Sequence, residues 1–161
     1  MNKKIMSAMN AQVNREFYAA YLYLALSAYY SSINLDGFAS WMREQAKEEI
    51  SHAMKFYDYI FERGGVVTLD AIEKPKLKLK GILEPFEAAL AHEKKVTAWI
   101  YEIADLVYAE KDYASYSLIQ WFINEQVEEE NNTSGICEKI KMIGNDKVAL
   151  FILNKELSKR S

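Results

Sequence analysis

The chain has 161 residues, half of them apolar and 27% charged, with only 2 Pro and 6 Gly, which excludes a disordered chain and leaves room for one domain with a sizeable core. A net charge of −3 gives no electrostatic footprint for nucleic acid, and the Lys-rich piece from Lys74 to Lys80 is too short to change that. The single Cys137 excludes a disulfide framework and a four-Cys metal site, and no stretch reaches the roughly 18 uninterrupted apolar residues of a membrane span.

The first predicted element, over 5–34, carries apolar residues at the 4-3 spacing of a helix packed in a bundle: Met9, Val13, Glu16, Ala20, Tyr23, Ser27, Tyr30. Its start has Lys3, Lys4, Arg15 and Glu16 and no apolar core, so it is not a signal peptide, and a cytoplasmic location is expected. Asn34-Leu35-Asp36-Gly37 breaks the pattern, with Asp36 as the expected cap of a second helix over 36–64. That helix has the line Phe38, Met42, Gln45, Glu49, His52, Phe56, Tyr59 and ends at Gly64-Gly65. Val66 to Lys80 has no helical period and contains Pro75. A connection of that length runs along a bundle from end to end, so the third helix, over 82–110, lies parallel to the second. The third line is Phe86, Leu90, Glu93, Thr97, Ile100, Ala104, Val107. The fourth helix, over 113–143 with Asp112 as its cap, has the line Leu118, Phe122, Glu125, Glu129, Asn132, Ile136. Its run Asn131-Asn132-Thr133-Ser134-Gly135 consists of poor helix formers and predicts an irregularity. A short fifth helix, over 146–158, is too apolar to stand exposed and predicts burial between subunits. The expected fold is all-α: a four-helix bundle, one domain over 1–161, with a long crossover and a fifth C-terminal helix.

Each of the four long lines should be apolar, yet each is broken near its middle by a carboxylate: Glu16, Glu49, Glu93, and the pair Glu125 and Glu129. Near the midpoint of a helix its direction matters little, so the four positions share one level of the bundle. Glu49 and His52 are three residues apart and share a helix face. Taken singly, each acid reads as a surface residue, and His92, in His92-Glu93-Lys94-Lys95, reads as solvated. Tyr23, Trp121 and Cys137 read as core residues. Four carboxylates converging on a core, however, would cost several kcal/mol per charge unless cations joined them. Carboxylates with one imidazole suit iron, manganese or zinc, and carboxylate bundles of this kind hold metal pairs bridged by a shared Glu.

At this point the chain resembles the non-haem bacterial ferritins over essentially its full length. The resemblance rests on Asn14-Arg15-Glu16-Phe17 with Tyr23, on Glu48-Glu49-Ile50-Ser51-His52-Ala53, on His92-Glu93, and on the run from Gln120 to Glu130. It implies that Glu16, Glu49 and His52 hold a first iron. Glu49 bridges to a second iron held by Glu93, with Glu129 and Gln126 close by. Glu48, Glu125, Glu128 and Glu129 form a third iron site, and Tyr23 lies beside the pair to donate an electron or a hydrogen bond. The implied function is iron storage with ferroxidase activity, using dioxygen or hydrogen peroxide, in a shell of 24 subunits around a mineral. Glu125-Gln126-Val127-Glu128 lacks the second Glu-x-x-His of bacterioferritins, and Ile50 replaces their haem-ligating Met, so no haem is expected. Val127 stands where many bacterial ferritins have His. Two alternatives remain: a rubrerythrin-like peroxide reductase, disfavoured by the single Glu-x-x-His and single Cys, and a non-enzymatic helical oligomer with salt-bridged seam carboxylates.

Overall fold

The computed structural model describes residues 2–160, and among them it has five helices and no strand. These are α1 (Lys3–Ser32), α2 (Asp36–Glu62), α3 (Glu84–Ala109), α4 (Tyr113–Ile143) and α5 (Lys147–Leu157). Asn2 starts α1 by accepting the backbone N–H of Lys4 at 2.7 Å, and Asn34, at a φ of 61°, ends the turn after it.

The core falls into two apolar clusters with a polar layer between them. Tyr23, Leu26, Tyr30, Phe38, Met42, Phe86, Ala89 and Ile140 belong to one, and Met9, Val13, Phe56, Ile60, Val96, Ile100, Ile119 and Phe122 to the other. The order in which each helix meets these clusters fixes its direction. α1 runs from the second cluster to the first, α2 and α3 run from the first to the second, and α4 returns. α2 and α3 are therefore parallel, as the length of their connection predicts.

That connection is fastened along α1. Asn10 donates to the Val66 carbonyl at 3.0 Å and accepts from Thr68 N at 2.7 Å; Asn14 repeats this with the Thr68 carbonyl and Asp70 N. At its far end Tyr29 and Tyr30 donate to the carbonyls of Gly81 and Ile82. Asp112 caps α4 as expected, accepting from Ser115 N, and Arg63 at the end of α2 donates to both Asp112 oxygens. Gly144, at a φ of 56°, ends α4.

Four local expectations are corrected. Asp36 is the first residue of α2 and caps nothing; Asn154 of α5 supplies the cap instead, accepting from Gly37 N at 2.9 Å and Phe38 N at 3.3 Å. Those orphan N–H groups need an acceptor from anywhere in space. α4 runs unbroken through Asn131–Gly135, because Thr133 packs inward while Asn131, Asn132 and Gly135 face solvent, and tertiary packing outweighs weak propensity. The buried line of α4 is Ile119, Phe122, Gln126, Glu129, Thr133, Ile136, Ile140, so Glu125 and Asn132 stand beside it. A 3.6-residue period allows steps of three or four, and the observed line takes them in the opposite order, sharing Phe122, Glu129 and Ile136 but placing Ile119, Gln126 and Thr133 inward in place of Leu118, Glu125 and Asn132. Trp121, read as core, is half-exposed, with Lys55 over its ring and its edge against His52. No helix among the described residues is long and apolar enough to cross a membrane.

Candidate metal centre

The polar layer between the two clusters holds Glu16 of α1, Glu49 and His52 of α2, Glu93 of α3, and Gln126 and Glu129 of α4, each at most 4% exposed. One ligand atom from each of Glu16, Glu49 and His52 lies within 4.8 Å of the others, and His52, Glu125 and Glu129 form a second such group. His52 joins the two. Its Nδ1 is 3.3 Å from Glu49 Oε2, and its Nε2 is 3.5 Å from Glu125 Oε1. With a carboxylate near each ring nitrogen, either nitrogen can carry the proton and leave the other to bind a metal. The rings of Trp121 and Phe122 wall the imidazole edge-to-face.

The carboxylates are held by amides and a phenol. Gln12 donates to Glu16 Oε1 at 2.7 Å, Gln45 to Glu129 Oε2 at 2.7 Å, and Gln126 to Glu93 Oε2 at 3.2 Å, while Tyr23 Oη donates to Glu93 Oε1. Gln12 and Gln45 are fully buried; Gln45 stands on the predicted α2 line with no role assigned to it, and Gln12 lies off the predicted α1 line. Their signal in the sequence is a Gln one turn before the Glu that interrupts the line on both α1 and α2. Tyr23 is buried beside the acids, as its place on the α1 line implies.

Two carboxylate oxygens, Glu16 Oε2 and Glu49 Oε1, are buried without a hydrogen-bond partner among the described residues. Among the described residues no Lys or Arg pairs with Glu16, Glu49, Glu93 or Glu129, which removes the reading of salt-bridged seam acids. Burial is the first cause of the resulting strain on ionisation. It raises Glu16, and it raises Glu49 well above the ordinary carboxylate range with help from the negative charges of Glu93, Glu16 and Glu129. Glu93 is raised to about 7 and Glu129 to about 8. The Tyr23 phenol is pushed well above 10 by burial and by Glu93. Such a set, acid-rich, with unpaired oxygens and one imidazole, suits a hard or borderline cation.

Glu125, Glu48 and Glu128 stand further out. The Glu125 side chain is 25% exposed, that of Glu48 is 45% exposed, and Glu128 lies on the surface. Glu48 is already engaged, by Arg160. His92 corrects the sequence reading. It is buried between the rings of Tyr18 and Trp99, and burial then Lys95 hold its pKa down to about 4, so it is neutral near pH 7. Only Lys94 and Lys95 of that patch are solvated.

A ferritin-like domain model matches residues 6–143. The chain is 42% identical to a bacterial non-heme ferritin of Staphylococcus epidermidis over 161 residues, covering all of this chain and 97% of that protein. It is 43% identical to one of Staphylococcus saprophyticus, covering 96% of it. An open-pore ferritin from the hyperthermophilic archaeon Archaeoglobus fulgidus superposes with a TM-score of 0.97 at 46% identity, over all of this chain and 98% of that one. With the bundle, the crossover and the buried acids all in place, the chain belongs to the ferritin family.

Proposed function

We propose that this protein stores iron and oxidises it on entry, with two Fe(II) ions as substrate in the layer between the apolar clusters. The observation that carries this reading is the pair of unpartnered buried oxygens on Glu16 and Glu49 beside His52, with no Lys or Arg ion-paired to either acid among the described residues. Glu16, Glu49 and His52 hold one iron; Glu49, Glu93 and Glu129 hold the other, with Gln126 steadying Glu93. Anionic ligands stabilise Fe(III) over Fe(II), which lowers the reduction potential and favours oxidation of Fe(II). Each iron gives up one electron, and dioxygen accepts the two with two protons to become hydrogen peroxide; peroxide itself accepts two electrons and two protons to become two waters. Carboxyls that are protonated in the empty site release those protons as iron binds. Tyr23 keeps Glu93 in place, and its raised pKa keeps it a donor throughout.

Glu48, Glu125, Glu128 and Glu129 form a third iron site on the way to the mineral. The exposed apolar residues Val148, Phe151 and Ile152 of α5 support burial between subunits of a 24-subunit cage. The whole chain, 1–161, acts as one such domain in the cytoplasm. The peroxide-reductase alternative is not favoured: α4 offers Gln126 and Glu129 to the centre but no second imidazole.

Glu49→Ala with His52→Ala tests the assignment by stopped-flow oxidation of Fe(II) at two irons per subunit, with circular dichroism to verify the fold. The fast phase is expected to disappear while slow surface oxidation persists. A folded double variant that keeps the wild-type fast phase would sink the assignment.

A further inference from the structure

The C-terminal end returns to the acids. After α5 the chain turns so that Arg160 Nη2 donates to Glu48 Oε2 at 2.6 Å, across 112 residues of sequence. The guanidinium also lies over the Trp41 ring, 4.5 Å from its centroid. Its positive charge reaches further, since it counters the upward shift of Glu129. Arg160 therefore acts on two of the four acids that would make the third iron site, one by contact and one through space.

The seat of this arginine is firm while its grip is weak. α5 is docked on the start of α2 through Asn154, whose backbone carbonyl lies so near Gly37 that a Cβ there would meet it at 1.7 Å. The arginine is thus delivered to one place. Yet it makes a single hydrogen bond to Glu48 rather than a two-pronged fork, and its Nη1 is buried without a partner among the described residues. A guanidinium held by one bond and one stacked ring can be displaced by a divalent ion in a way that a fully satisfied pair resists.

We propose that Arg160 is a tethered cation that occupies the outer acids when the third site is empty, so that metal must displace it from Glu48 to bind there. This rests on the third-site reading above and adds to it a built-in competitor. The arginine weakens the outer site by direct contact with Glu48, whereas of the inner acids only Glu129 feels its charge, through space. Iron arriving at the inner ligands meets no such competitor. The inner pair fills first, and the outer site fills only when iron is abundant enough to release the arm.

The test is calorimetric titration of the metal-free full-length protein with Zn(II), a redox-inert probe, for wild type, Arg160→Ala, Arg160→Lys, Glu48→Gln and the double variant Arg160→Ala with Glu48→Gln. The outer zinc is expected to bind about 5-fold tighter in Arg160→Ala, the size expected for loss of one partly exposed ion pair. Arg160→Lys falls between, the gain shrinks in high salt, and it vanishes when Glu48 is already Gln. The zinc held by Glu16, Glu49 and His52 keeps its affinity in every Arg160 variant. An outer zinc whose affinity in Arg160→Ala equals or falls below the wild-type value overturns the competitor while leaving the third site standing. The absence of any zinc beyond the inner two, in wild type and Arg160→Ala alike, overturns the third-site reading and the competitor together.

Discussion

Raising the pH of the metal-free protein should loosen it, the opposite of what salt-bridged carboxylates do. Glu129 is moved from 4.5 to about 8 and Glu93 from 4.5 to about 7, with burial as the first cause in both. Between those limits the carboxyl is protonated in the fold and ionised in the unfolded chain. Its stabilising contribution is complete below 4.5 and is lost as pH rises through the folded value. Each pH unit in that window costs about 1.4 kcal/mol per group. Glu129 alone then accounts for a loss of about 4 kcal/mol between about pH 5 and about pH 8, or about 10 °C in melting temperature for a chain of this size. Thermal unfolding followed by circular dichroism in chelator reads this directly. Glu129→Gln should flatten the slope, because the amide stays neutral, and excess Zn(II) should restore the melting temperature at the alkaline end. A metal-free melting temperature that stays level or climbs across this window, or a Glu129→Gln slope as steep as the wild type, refutes the idea that burial holds these acids protonated in the fold.

Three further outcomes follow from particular contacts. Tyr23→Phe removes a donor to Glu93, so Zn(II) binding at the second inner position should weaken about tenfold near neutral pH by calorimetry. Gly37→Ala drives a methyl into the Asn154 backbone and should cost about 2 kcal/mol or more, lowering the melting temperature and loosening α5 from α2 as seen by hydrogen exchange near Phe38. His92→Phe replaces a neutral ring whose Nε2 has no partner. It should leave the melting temperature unchanged or higher and the Fe(II) oxidation rate unaltered, which a loss of rate in stopped flow would contradict.

The buried acids were legible because helical period and chemistry conflict there. An acid on an apolar line is visible in one dimension, and Glu16, Glu49 and Glu93 each interrupt such a line. The parallel pairing of α2 and α3 was legible for a related reason: the span from Val66 to Lys80 is too long for a hairpin. What stayed hidden depends on contacts between elements distant in sequence. Asn154 caps α2 from α5, more than a hundred residues away, and no local rule could prefer it to Asp36. The order of three- and four-residue steps that puts Gln126 inward and Glu125 outward is invisible because both orders satisfy a helical period. His92 was misread because two lysines follow it. Its burial comes from Tyr18 of α1 and Trp99 of its own helix, rings whose approach only the folded bundle defines. Arg160 follows the same rule, since nothing in its own neighbourhood points to Glu48.

The most direct test of the central claim is iron-edge anomalous diffraction from crystals grown metal-free and soaked anaerobically in Fe(II). The account predicts two buried iron peaks, one among Glu16, Glu49 and His52 and the other among Glu49, Glu93 and Glu129, with Glu49 shared between them. Iron found only on surface carboxylates, or a single buried ion that leaves Glu49 unshared, would contradict it.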